Sequence, residues 1–159
     1  MAEKRILVVY YSRTGVTETV AKNLAERLGA EIEAIAEERD RNGAVQYMLA
    51  GKEALMESLP PINPPTEDPA NFDLVVLGTP VWAFKMASPM RSYLAMNEGK
   101  FREVALFCTH RGSGGKGTFE SFEKVLDIQP VAVVDFHEKS VRSGEFSGNI
   151  DEFLERLAE

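Results

Sequence analysis

Ile6-Leu7-Val8-Val9-Tyr10-Tyr11-Ser12-Arg13-Thr14-Gly15-Val16-Thr17 is the stretch that decides how this chain reads. An apolar run meets three hydroxyl residues and one glycine. An amphipathic stretch marked by Val20, Ala21, Leu24, Ala25 and Leu28 follows directly. A buried strand therefore turns into a helix through a loop suited to a phosphate group. Gly15 lets the backbone come close to an anion. The first helical turn points free N–H groups and its positive dipole end at it. Ser12, Thr14 and Thr17 can each donate a further hydrogen bond.

Working outward, strands and helices alternate. A short strand is expected near Glu31–Ala36, and a helix over 43–59 with Val45, Met48, Leu49, Leu55, Met56 and Leu59 on one face. Pro60-Pro61 and Pro64-Pro65 end that helix and make an extended connector. Phe72 to Gly78 is an unbroken apolar run, the pattern of a strand buried on both faces. Ser88-Pro89 opens a helix with proline at its preferred first position, and Met90, Tyr93 and Leu94 face inward. A strand over 103–109, a helix marked by Phe119, Phe122, Val125 and Leu126, a strand over 130–137 and a closing helix with Ile150, Phe153, Leu154 and Leu157 complete the order. Five strands and five helices, without a linker, predict one α/β domain over 1–159: a doubly wound, five-stranded parallel sheet. Such sheets bind ligands beyond the carboxyl ends of their strands, where the strand order switches direction.

Composition narrows the function. The chain has 159 residues with 18 basic against 25 acidic side chains, a net charge of −7. That disfavours nucleic acid, whose phosphates need clustered Lys and Arg. The one cysteine, Cys108, lies in an apolar run, so it reads as a buried apolar residue rather than part of a disulfide or a metal cluster. No run approaches the length of a membrane span, and the first apolar run is too short for a signal sequence. A cytoplasmic location is expected. Glu37, Glu38 and Asp40 read as solvated surface, and His137 as structural.

Two more loops fall at strand ends. Thr79-Pro80-Val81-Trp82-Ala83-Phe84-Lys85-Met86-Ala87-Ser88 offers an apolar and aromatic wall; Thr109-His110-Arg111-Gly112-Ser113-Gly114-Gly115-Lys116-Gly117 offers a glycine-rich backbone wall. Taken singly, the Gly15 loop could be an ordinary helix cap and Trp82 a core residue. Taken together, the three loops suit a phosphate joined to a flat heterocycle. Over its whole length the chain resembles flavodoxin-like FMN-binding proteins. Ser12, Arg13, Thr14, Gly15, Val16 and Thr17 resemble that family's phosphate loop. Thr79, Pro80, Val81, Trp82 and Ala83, with Thr109, His110, Gly112, Ser113, Gly114 and Gly115, resemble its two flavin loops. Residues 47–61 resemble the helical insert of the subgroup whose second loop reads Pro-hydrophobic-Trp.

The resemblance implies an FMN-binding redox protein in which the flavin carries the electrons and no side chain acts as a nucleophile. Its partner would be a redox protein, or a nicotinamide or quinone-type small molecule if the chain is a small NAD(P)H-dependent reductase. A flavin-free interaction domain on the same fold is the third reading. Two departures weigh on the choice. The third loop carries no aromatic residue except His110, and the second carries no glycine. Lys85, His110, Arg111 and Lys116 are also expected to form a basic rim around the flavin loops.

Other doubly wound classes are excluded by their motifs. No acidic cluster marks the first strand end, as a phosphorylated receiver requires. No Cys–Arg phosphate loop follows it, nor a Gly-Lys-Ser/Thr loop, nor Gly-x-Gly-x-x-Gly.

Overall fold

The alternating pattern produces five parallel strands in a computed structural model that describes residues 4–158. The strands are β1 (Ile6–Tyr10), β2 (Glu31–Ala34), β3 (Leu74–Trp82), β5 (Val104–His110) and β6 (Val133–His137), in the order β2-β1-β3-β5-β6. A two-residue strand, β4 (Lys85–Met86), pairs antiparallel with the end of β3. The helices are α1 (Val16–Leu28), α2 (Ala44–Leu55), α3 (Ser88–Met96), α4 (Gly115–Val125), α5 (Glu138–Ser143) and α6 (Ser147–Ala158).

Both faces of the sheet are covered, which is why its central strands are continuously apolar. Along β1, Leu7 and Val9 enter one core with Met90 and Tyr93 of α3 and Phe122 of α4. Val8 enters the other core with Val20 and Leu24 of α1 and Phe153 of α6. From β1 the chain proceeds to β2 on one side and to β3 on the other. The switch point thus lies between the carboxyl ends of β1 and β3, where the phosphate-type loop emerges.

Several expectations are corrected. The second loop is not a loop throughout: β3 runs on to Trp82 and turns through Ala83 and Phe84, at φ 50° and 65°, into β4. Two consecutive left-handed residues match the turn that joins twisted antiparallel strands. Among the described residues, six α-helices replace the expected five, because the short α5 starts directly at the end of β6. The fifth parallel strand begins at Val133 rather than 130. The helix expected over 43–59 ends at Leu55. Of its supposed inward face, Val45, Met48, Leu49, Leu55, Met56 and Leu59 are all exposed. Ala50 and Ala54 are buried instead. Their small side chains form the seam that lets α2 lie close against the molecule.

Gly78 shows how tightly the sheet is covered. It pairs with Tyr10 on one side and Phe107 on the other. A Cβ at this position would fall inside the Phe107 ring, which is itself held edge-on against Phe136 at 6.0 Å. Gly78→Ala is therefore expected to destabilise the protein by about 1–3 kcal/mol, through forced displacement of a fully buried aromatic ring. A urea midpoint unchanged from wild type would contradict this.

Candidate functional site at the switch point

A cleft of about 270 Å³ opens at the carboxyl ends of the strands. It collects all three loops. Arg13, Thr14, Val16 and Thr17 line it from the first; Pro80, Val81, Trp82 and Ala83 from the second; Thr109, His110 and Ser113 from the third.

The first loop is pre-shaped by its own side chains. Gly15 sits at φ 96°, a conformation that glycine takes without strain. A Cβ there would meet nothing within 4 Å, so the space before the loop is open. The Ser12 hydroxyl accepts hydrogen bonds from the Gly15 and Glu18 amides at 3.0 and 3.2 Å, which leaves its own proton to donate. The amides of Val16 and Thr17, first in α1, have no partner within the helix. Thr17 is buried, and its Oγ1 lies 2.8 Å from Thr109 Oγ1, joining the first loop to the third. Arg13 donates to the Arg41 carbonyl oxygen at 2.8 Å and so anchors the loop to the segment before α2.

The second loop is fixed from behind. Thr79 does not line the cleft; it is fully buried, and its hydroxyl donates to the Pro80 carbonyl and accepts from the Ala87 amide, both at 2.9 Å. Trp82 meets Tyr11 edge-on at 5.4 Å, and the Arg41 guanidinium lies over its ring at 5.1 Å. Arg41 itself is buried. It donates to Glu37 at 2.7 and 3.0 Å and to Glu53 with two bonds of 3.0 Å. Glu37 also accepts from the Tyr11 hydroxyl at 2.7 Å. Glu37 is therefore not solvated surface: its side chain is 4 % exposed. A carboxylate is tolerated at that depth because every bond of the pair is matched.

The third loop turns on its glycines. Gly114, at φ 100°, caps α4, and a Cβ on it would stand 2.5 Å from Val81 Cγ1. A Cβ on Gly117 would stand 2.5 Å from the Phe84 carbonyl oxygen. These glycines allow the third loop and α4 to press against the 81–84 turn. Gly112, Gly114 and Gly115 shape this wall without lining the cleft; the Gly112 amide donates to His110 Nδ1 at 2.9 Å. That bond makes Nδ1 the acceptor, so Nε2 carries the proton toward Asp135 Oδ2 at 2.8 Å. His137, read as structural, lies across the strand pair from His110, ring to ring at 5.4 Å, and its Nδ1 accepts from the Lys139 amide.

The expected basic rim is only partly present. Lys85 and Lys116 are not among the cleft-lining residues, and Lys85 pairs with Glu57 at 2.9 Å. Arg111 does line the cleft, but its charge is met by Glu138 at 2.9 Å. Burial alone would raise the Glu138 carboxyl. Hydrogen bonds from Arg142 and Arg111 outweigh that and hold it below the usual range.

Glu138 lines the cleft without any reading in the sequence, while Phe84, read as part of the second loop, and Tyr47, read as the start of the insert, were not counted as site residues. Tyr47 lies beneath two guanidinium groups, Arg13 at 5.2 Å and Arg111 at 5.3 Å. Its position in the insert was the available signal. Asp135 was also missed, although a lone acid in the apolar run Val133-Val134-Asp135-Phe136 was visible. Cys108 is buried, and burial pushes its thiol well above the usual range, so it is inert.

A parallel sheet with this strand order and a phosphate-type loop at its switch point defines the flavodoxin-like class. A sequence model of the flavodoxin family matches residues 5–145, and the chain belongs to that family. Among solved structures, a flavoprotein from Lactobacillus acidophilus in complex with FMN is similar with a TM-score of 0.74. It is 24 % identical, and the match covers 89 % of this chain and 98 % of that one. The NMR structure of the apo form of the Lactobacillus acidophilus flavoprotein matches with a TM-score of 0.62 at 24 % identity, covering 86 % of this chain and 93 % of that one. A flavodoxin, WrbA-like protein from Agrobacterium tumefaciens matches with a TM-score of 0.58 at 13 % identity, covering 97 % and 99 %. No helix among the described residues is long and apolar enough to cross a membrane.

Proposed function

We propose that the cleft binds FMN and that the protein is a cytoplasmic redox protein passing electrons through it. The observation that carries this reading is the Ser12–Thr17 cradle. It has an open left-handed glycine and two helix-start amides without intrahelical partners, and it is continuous with a wall holding Trp82. Ser12, Thr14 and Thr17 would donate hydroxyl protons to the phosphate, with the amides of Val16 and Thr17 beside them. Pro80 to Ala83 and the backbone of residues 109–115 would flank the ring system. FMN, when bound, supplies reversible acceptance of electrons or hydride. The protein's part is to hold and orient it and to exclude water. The Thr17–Thr109 bond keeps the phosphate end and the ring end in register. The His110–Asp135 pair keeps the third loop in place.

A second reading, a small reductase taking electrons from a nicotinamide donor to a quinone-type acceptor, is favoured by one feature. His110 is the third loop's only ring, and it is tied to Asp135 and Gly112. The loop therefore has no free aromatic side chain to lay over a flat ligand, which leaves room for a small substrate.

Incubation with FMN followed by desalting tests the proposal. One flavin per chain should be retained, and calorimetry should show FMN binding much more tightly than riboflavin. Equal affinity for the two would show that the cradle is not a phosphate site. No retained flavin absorbance would overturn the reading in favour of a flavin-free domain. Steady-state oxidation of NADH or NADPH with a quinone present separates reductase from carrier.

Thr17→Ala should lower FMN affinity by about 1.5–3 kcal/mol through loss of a hydrogen bond to a charged group. Thr109 would then lose its buried partner, so the flavin-free protein should also lose about 1 kcal/mol of stability. Thr17→Ser should restore most of both. An affinity loss that Thr17→Ser fails to rescue would mean the hydroxyl is not the contact.

A further inference from the structure

A second concavity, of about 360 Å³, lies on the other side of the turn at residues 83–84; Ala83 and Phe84 line both this cavity and the cleft. Arg91 of α3 lines it as well. Arg91 is 6 % exposed, yet its Nε and Nη2 are buried and have no hydrogen-bond partner among the described residues. Its Nη1 has only the Glu57 carboxylate, 3.9 Å away. Native structures rarely leave buried N–H groups unpaired, and a guanidinium in this state calls for an explanation.

The surroundings suggest one. Lys85 and Lys124 line the same cavity, and Lys124 makes no ion pair among the described residues. The acidic groups there are Glu57 and Glu120. The Ser121 hydroxyl is already engaged, donating to the Thr118 carbonyl oxygen and accepting from the Met86 amide. Among the described residues, Glu57 is the only carboxylate within 4 Å of Lys85 or Arg91. Its side chain is half-exposed, it accepts from Lys85 at 2.9 Å, and its backbone sits at φ 56°, a strained value for a residue other than glycine. The Lys85 hydrogen bond, with the charges of Arg91 and Lys85, holds its carboxyl below the usual range, so it is ionised.

We infer that this cavity is an anion-binding site for a small molecule bearing one carboxylate or phosphate group, and that Glu57 is the internal carboxylate such an anion displaces. The planar guanidinium offers two N–H groups in a fork that matches two oxygens of a single oxyanion. Glu57 stands by Nη1 alone, at too long a distance for a hydrogen bond, and meets neither of the unpaired nitrogens. Turning its side chain outward costs little burial and leaves Lys85, Arg91 and Lys124 facing one remaining acid, Glu120. The site is separate from the FMN cradle and does not rest on the flavin reading. Sharing the 83–84 turn, it is placed to report on the cleft.

Sodium phosphate and sodium acetate, titrated separately into the full chain at constant ionic strength with and without FMN, test this through ¹H–¹⁵N spectra. Saturable shifts are expected at Phe84, Lys85, Gly117 and the Arg91 Nε–H, whether or not FMN binds. Glu57→Gln, an exposed change that leaves the core intact, should lower the half-saturation concentration several-fold by removing the competing charge. Arg91→Lys, which keeps the charge and loses the fork, should raise it at least tenfold. Preference for phosphate identifies a phosphate-bearing ligand, and preference for acetate a carboxylate. Shifts confined to Gly15–Thr17 would assign the anion to the FMN cradle and overturn the inference. So would the absence of saturation at the cavity residues in both wild type and Glu57→Gln.

Discussion

Arg41→Leu is expected to lower unfolding stability by about 3–5 kcal/mol, the cost of leaving a buried carboxylate without its cation. Arg41 is almost wholly buried and spends four hydrogen bonds on Glu37 and Glu53. Burial alone would lower its guanidinium; the two carboxylates outweigh that and raise it. Glu53 retains Arg39 as a partner at 2.7 Å. Glu37 keeps only the Tyr11 hydroxyl. A double variant, Arg41→Leu with Glu37→Gln, should recover part of the loss, because the stranded charge is gone. The single tryptophan gives a second readout: Arg41 lies over Trp82, so Arg41→Leu should change the emission of the folded protein.

The same network sets an acid dependence. Burial would raise the Glu53 carboxyl, but hydrogen bonds and charge from Arg41 hold it below its ordinary value of 4.5. A carboxylate lowered on folding contributes stability that is present above its unfolded pKa and is lost as pH falls through the folded value. Wild-type stability should therefore decline below about pH 4.5, and Arg41→Leu should show a shallower decline. Parallel pH profiles for the two proteins would refute this assignment.

Gly15→Val should abolish detectable FMN binding while the chain still folds, with an affinity loss of at least about 3 kcal/mol, more than a hundredfold. The reason lies in the backbone. Gly15 sits at φ 96°, where a β-branched residue is an outlier, so the loop must rearrange and carry the Val16 and Thr17 amides away from the anion. The unligated protein has open space at that Cβ, so only the strain counts against folding, about 1–3 kcal/mol. Calorimetry with FMN and a urea titration separate the two effects. Unchanged FMN affinity in this variant would remove the cradle from the site.

Much of this was legible in the chain. The β1 run, the glycine and hydroxyl loop and the α1 stripe lie within some twenty consecutive residues, and their reading needs only local geometry. Pro89 marked the start of α3 for the same reason. The apolar face read into 45–59 was not borne out, because periodicity shows that a stripe exists without showing what covers it. Ala50 and Ala54, the residues that pack inward, are too small to stand out in a pattern. The end of β3 was read as loop because the apolar run ends at Gly78, yet pairing with β5 continues through Pro80.

The sequence by itself determined the order of the five parallel strands and of five of the helices, the family and the three loops that form the cleft. Each is written in contiguous residues, through periodicity, proline and glycine. Tertiary structure decided the contacts that hold the cleft in shape. Thr17 meets Thr109 across ninety-two positions, His110 meets Asp135 because β5 and β6 pair in one register, and Glu37 is buried because Arg41 folds back between it and Glu53. Apart from Glu37 and Arg41, four positions apart, these partners share no local pattern. They are brought together by strand register and by burial, which makes an unpaired charge or hydroxyl too costly to leave alone.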